Sequence, residues 1–150
     1  MLINFIQKNF FIKYGLLPLL EVYSIIIDTE KGETMLTLYH YPNCSTCKKA
    51  IKFLNEREVE YKLVNLVEKA PSKTALMKLY KTGKYPLKKF FNTCGTVYKE
   101  LNLKDELVNY SDKDAIELLA KNPMLFKRPL LIKDTDFLIG FKVEELENFL

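Results

Sequence analysis

The stretch Leu36-Thr37-Leu38-Tyr39-His40-Tyr41-Pro42-Asn43-Cys44-Ser45-Thr46-Cys47-Lys48-Lys49-Ala50 decides how the rest of the chain is read. Residues 36–40 form a β-rich run, and a helical pattern begins at about Ser45. Cys44 therefore falls where a strand gives way to a helix. A helix N-terminus carries unpaired N–H groups and a partial positive charge, both of which favour a thiolate. The thiolate is the reactive form of cysteine. Cys47, Ala50, Ile51 and Leu54 recur at i, i+3, i+4 and i+7, so Cys47 lies on the core-facing stripe while Cys44 stays at the exposed tip. An exposed attacking thiol with a sheltered partner three residues on is the arrangement a dithiol/disulfide couple needs.

The bulk composition agrees with a reactive pair inside an ordinary domain. A chain of 150 residues can build its own core without disulfide staples. A hydrophobic fraction of 48% against 28% charged residues reads as soluble and globular. Three cysteines, two of them in a CxxC, make no secreted disulfide framework and suit a reducing, cytoplasmic compartment. The net charge is only +4 and no basic block exceeds a Lys pair, so direct DNA binding is not expected and the lysines read as a solvated face.

Residues 1–34 differ from the remainder. They are rich in Phe, Ile and Leu, but Lys8, Lys13, Pro18 and Glu21 interrupt every run. None reaches the roughly 18 to 20 apolar residues of a membrane span, and the flanks lack the features of a signal peptide. Lys31-Gly32-Glu33-Thr34 can be encoded by a purine-rich run resembling a ribosome-binding site just before Met35. The expectation is a domain over 35–150 with 1–34 as translated upstream sequence; the alternative is an additional amphipathic helix.

Beyond the cysteines, Tyr61-Lys62-Leu63-Val64-Asn65-Leu66 reads as a second strand. Pro71-Ser72 opens a helix carrying Ala75, Leu76, Leu79 and Tyr80 on one face, stopped by Gly83. Pro86 opens another, with Leu87, Phe90, Phe91 and Cys94 in phase, which predicts a buried and inert Cys94. Ser111 with Asp114 resembles a capping box for a helix through Ala115, Ile116, Leu118 and Leu119, ended by Asn122-Pro123. After Arg128-Pro129, the runs Leu130–Ile132 and Phe137–Phe141 flank a turn and predict a hairpin. Val143, Leu146, Phe149 and Leu150 suit a closing helix. This order predicts an α/β, thioredoxin-like fold: a small mixed sheet flanked by helices, with a helical insertion.

Three motifs carry a family resemblance: Tyr41–Ala50, Phe91-Asn92-Thr93-Cys94-Gly95-Thr96-Val97-Tyr98-Lys99-Glu100-Leu101, and Asn122-Pro123-Met124-Leu125-Phe126-Lys127-Arg128-Pro129-Leu130. Together they resemble the ArsC/Spx family, which includes glutaredoxin-linked arsenate reductases and the RNA-polymerase-binding regulator Spx. The resemblance covers 35–150. It implies a cis Pro129 opposite the CxxC, with Arg128 directed at the Cys44 thiolate or at an oxyanion beside it. It also implies Cys44 as nucleophile, Cys47 as resolving thiol, and glutaredoxin, thioredoxin or a small thiol as reductant, with no cofactor.

The family's arsenate reductases hold their oxyanion with three arginines. Here Arg128 matches one position, Asn92 occupies the second, and Gly140-Phe141-Lys142 contains no arginine at the third, where Lys142 could supply only a point charge. Arsenate is accordingly expected to be a poor substrate. The resolving Cys47 belongs to the Spx branch, which makes a redox-sensing regulator bound to the RNA polymerase α subunit the alternative function. Gly83 lies in the segment where that branch contacts the polymerase, although a helix-ending glycine is ordinarily a cap. A zinc site would need His40 and Cys94 to complete a Cys₃His set, and no second CxxC supports it. A third-cysteine role for Cys94 as resolving thiol is the other option weighed for that residue.

Overall fold

The computed structural model describes residues 35–150, and the expectations for 1–34 lie outside the described residues. Four strands form one mixed sheet in the order β2-β1-β3-β4. They are β1 (Leu36–His40), β2 (Tyr61–Asn65), β3 (Leu130–Lys133) and β4 (Asp136–Ile139). β1 runs parallel to β2 and antiparallel to β3, and β3 and β4 form the expected hairpin. A parallel pair needs a long crossover, and α1 (Ser45–Glu56) supplies it between β1 and β2.

The period-two alternation of the strands divides the core into two layers. Leu38, Leu131 and Leu138 stand opposite one another across β1, β3 and β4, and all three pack with Ala50, Phe53 and Leu54 of α1 and with Leu146. Leu146 lies on α6 (Val143–Phe149), so α1 and α6 cover this face. The neighbouring residues Leu130, Phe137 and Ile139 face the other way, into a second cluster built by the insertion between β2 and β3. The insertion consists of α2 (Lys73–Lys81), α3 (Thr96–Glu100), α4 (Leu103–Glu106) and α5 (Asp112–Lys121), with short 3₁₀ turns at Leu87–Phe90, Leu107–Asn109 and Pro123–Leu125. This is a thioredoxin-like arrangement with a helical insertion.

Local signals place most boundaries. The Ser72 hydroxyl accepts from the Ala75 amide, and Ser111 accepts from the Asp114 amide, so both helices start at the expected caps. Gly83 has φ +72 and donates its amide to the Tyr80 carbonyl, closing α2 in a conformation that suits glycine. In the hairpin, Asp134 takes φ +61 in a two-residue turn.

One expected helix does not form. After the 3₁₀ turn Leu87–Phe90, Phe91 becomes extended and bridges Phe126. The Asn92 amide then donates to Leu125 O at 2.7 Å, and the Lys127 amide to Phe90 O at 2.8 Å. Pairing with a remote segment breaks the helical phase that would have carried Cys94 inward. Cys94 lies in a turn and is exposed, which corrects its assignment as a buried thiol.

Phe137 is fully buried and meets the rings of Tyr85 and Phe90 at 5.4 and 5.7 Å. Phe137→Ala is expected to destabilise the fold by about 3–5 kcal/mol in urea denaturation. Lys52→Gln removes one partner of an exposed pair with Glu56 and should leave the unfolding midpoint nearly unchanged. Similar losses in the two variants would contradict the core described here.

Candidate functional site: a cysteine at a helix N-terminus

Cys44 is the N-cap of α1, with φ −89 and ψ 116. Its amide donates to Tyr41 O at 3.0 Å, and its carbonyl receives the Lys48 amide at 3.1 Å. Its sulfur receives the Cys47 amide at 3.4 Å, the role a Ser, Thr, Asp or Asn side chain fills at most helix starts. The first turn of α1 contains no acidic side chain. The positive end of the helix is therefore left for the sulfur to compensate.

The two thiols are driven apart in acidity. Burial of Cys44 opposes its ionisation. The Cys47 amide, the Cys47 thiol and the Thr46 amide all donate to it, and the charge of Arg128 adds to their effect, so Cys44 ionises below its ordinary range. Cys47 has no exposed surface. Burial, with the hydrogen bond to Cys44 and the negative charge there, pushes Cys47 up to about 12, while the Tyr41 backbone amide and Arg128 pull it down. The geometry thus favours ionisation of the partly exposed sulfur and disfavours it at the one behind.

The Arg128-Pro129 peptide bond is cis. The Pro129 carbonyl receives the Gly140 amide at 2.8 Å, which joins the start of β3 to the end of β4. Arg128 lies over the Tyr41 ring, its guanidinium carbon 4.9 Å from the centroid, and its Nη1 donates to Met124 Sδ at 3.6 Å. Among the described residues it forms no ion pair with a carboxylate. Tyr41 and Met124 are contacts the sequence reading did not identify. Both lie inside the quoted motifs, but nothing in their spacing shows that one ring and one thioether hold the same guanidinium.

Other sequence candidates are placed differently. Asn92 is tied by its backbone amide to Leu125, four residues before Pro129. Its side chain fills the space beside Gly95, where an added Cβ would come within 2.7 Å of Asn92 Nδ2. Lys142 pairs with Glu145 at 2.5 Å at the start of α6, so its charge is already engaged. Burial lowers the pKa of His40, with Glu68 acting in the opposite sense. Among the described residues no three His, Cys, Asp or Glu side chains gather to hold a metal, and no helix is long and apolar enough to cross a membrane.

With this geometry in hand, comparison with known proteins gives a consistent result. The ArsC family profile matches residues 39–149. The chain belongs to the ArsC family. It is 46% identical to YusI of Bacillus subtilis over 113 residues, covering 75% of this chain and 96% of that one. It is 31% identical to the global transcriptional regulator Spx of Streptococcus pyogenes over 116 residues, covering 77% and 85%. An ArsC-family-related protein of Bacteroides fragilis superposes with a TM-score of 0.74 at 41% identity, covering 79% of this chain and 99% of its own.

Alkylation across a pH series checks the acidity split. Cys44 should react with a midpoint below that of a free cysteine, about 8.5, and Cys47 should resist modification in the native protein. Arg128→Gln should raise the Cys44 midpoint only modestly, because the amides around the sulfur contribute more than the arginine does. Peptide mapping separates Cys94, which is exposed and also accessible to reagent. A parent Cys44 midpoint at or above the free-thiol value would remove the case for a stabilised thiolate.

Proposed function

We propose that this ArsC-family chain is a thiol-redox protein that cycles between a Cys44/Cys47 dithiol and disulfide. The observation that carries the reading is the N-capping, partly exposed Cys44 sulfur with a buried, protonated Cys47 directly behind it. The Cys44 thiolate attacks a substrate disulfide, forming a Cys44–substrate bond and releasing one substrate thiolate. Cys44 is then neutral, so its charge and its acceptor sulfur no longer hold the Cys47 proton, although burial still does. Once deprotonated, Cys47 attacks Cys44, expels the second substrate thiolate and leaves an internal disulfide. A cellular dithiol (glutaredoxin or thioredoxin) or a small thiol restores the reduced pair. Arg128 adds positive charge beside the thiolate and is available to an anionic substrate group.

Arsenate fits this site poorly. Of the three positions where the family's arsenate reductases carry arginine, only Arg128 is cationic and unpaired with a carboxylate; Asn92 at the second is neutral, and in the stretch Gly140-Phe141-Lys142 at the third, Phe141 packs on Phe53 and Lys142 pairs with Glu145. Missing one preorganised donor of this kind typically costs on the order of a hundredfold in rate. A redox-sensing regulator is the second reading, favoured by the likeness to Spx, with the same dithiol acting as a switch on a protein bound to the RNA polymerase α subunit. Gly83 adds no support to it, because its positive φ accounts for a glycine there without any partner.

Mild oxidation should yield a Cys44–Cys47 disulfide by mass spectrometry, and Cys47→Ser should trap the mixed disulfide on Cys44. A Cys44–Cys94 link, or no internal link, would contradict the resolving role. Glutaredoxin-coupled arsenate turnover should be weak or absent, and Asn92→Arg should raise it; robust turnover by the parent, abolished in Cys44→Ser, would overturn the substrate argument. Co-purification with RNA polymerase that changes with oxidation would favour the regulator over the enzyme.

A further inference from the structure

From Lys69 to Lys99 the chain carries eight lysines and no aspartate or glutamate. Two of these lysines are neutralised across the fold, Lys73 by Glu117 and Lys84 by Asp136. Another two, Lys88 and Lys99, come together with Lys104 around a cavity of about 430 Å³ on the insertion, also lined by Thr93, Tyr98 and Asn102. The three lysines come from three different elements: the Leu87–Phe90 turn, α3 and α4. None of them forms an ion pair among the described residues, and no carboxylate lines the cavity.

The floor of this cavity is structured. Tyr98 is buried, and its hydroxyl donates to Leu103 O at 3.1 Å, which locks α3 against α4. Asn102 makes the corner between them with φ +48. Asp105 is the acidic group that acts on a cavity residue, through Tyr98.

We infer that this cavity is a binding site for a small polyanion bearing two or more adjacent phosphate groups. Three lysine side chains that line one open cavity carry like charges with no carboxylate among them. A multiply charged ligand offsets those charges, and lysine serves phosphate as a point charge without a fixed fork geometry. The Thr93 hydroxyl and the Asn102 amide supply neutral donors beside the charges. A single carboxylate would leave most of the positive charge uncompensated, and the volume exceeds what one free phosphate fills. The site lies on the insertion and uses neither cysteine of the redox pair.

Calorimetry on the full chain at near-physiological salt, with inorganic phosphate, pyrophosphate, tripolyphosphate and a nucleoside triphosphate, tests the inference. Saturable one-to-one binding is expected, tighter for tripolyphosphate than for inorganic phosphate, and unchanged in Cys44→Ser. The unchanged Cys44→Ser result separates this site from the fate of the redox reading. Tighter binding of the nucleotide than of tripolyphosphate would identify an organic phosphate ester as the ligand, and equal binding would identify the phosphate chain itself. Lys99→Gln combined with Lys104→Gln should weaken binding at least about tenfold, and Asp105→Asn should strengthen it. Lys78→Gln with Lys81→Gln removes the same charge from α2, outside the cavity, and should change affinity by no more than about twofold. Absence of saturable binding, or equal losses in the two double variants, would overturn the assignment.

Discussion

The unpaired amides at the start of α1 are the constraint on which the site depends. Four N–H groups at a helix start need acceptors, and here one acceptor is a sulfur rather than an oxygen. Cys44 satisfies the Cys47 amide at 3.4 Å, and by the same contact its own negative charge is stabilised. Capping the helix and easing ionisation of the sulfur are thus one interaction seen from two sides. The sheet makes it rigid: β1 is hydrogen-bonded on both edges, and α1 is packed on it through Ala50, Phe53 and Leu54.

The insertion contributes to the same site through the backbone. The Phe91–Phe126 bridge, the Asn92 amide on Leu125 and the Lys127 amide on Phe90 stitch the middle motif to the segment leading into Arg128 and Pro129. Buried phenylalanines on either side of that stitch anchor it in the larger core cluster. Arg128 is then held by the Tyr41 face and by Met124 rather than by a carboxylate.

Electrostatics also separates the two faces of the molecule's chemistry. At the CxxC, fixed amide dipoles outweigh the arginine in setting thiol acidity. On the insertion, Lys88 and Lys99 of the acid-free run meet Lys104 around a locked α3–α4 corner. The first arrangement rests on backbone dipoles fixed by a helix start; the second rests on side chains that only the packing of the insertion brings together.

The sequence by itself determined whatever depends on neighbours within a turn or a strand. The Cys47-Ala50-Leu54 stripe places one sulfur inside and the other at the tip. Ser72 and Ser111 mark helix starts, Gly83 marks a stop, and two short apolar runs around Lys133-Asp134-Thr135-Asp136 give a hairpin. These readings hold because hydrogen-bond periods of 3.6 and 2 are local properties. Only the tertiary structure decided what depends on remote partners. Phe91 leaves its helical phase because Phe126, 35 residues later, offers a backbone pairing, and Cys94 is exposed as a result. Lys142 is engaged by Glu145, Arg128 by Tyr41 and Met124, and three lysines from separate elements come to share one cavity. Side-chain charge and shape are written in the sequence, but which groups meet is set by the packing of the two faces of the sheet.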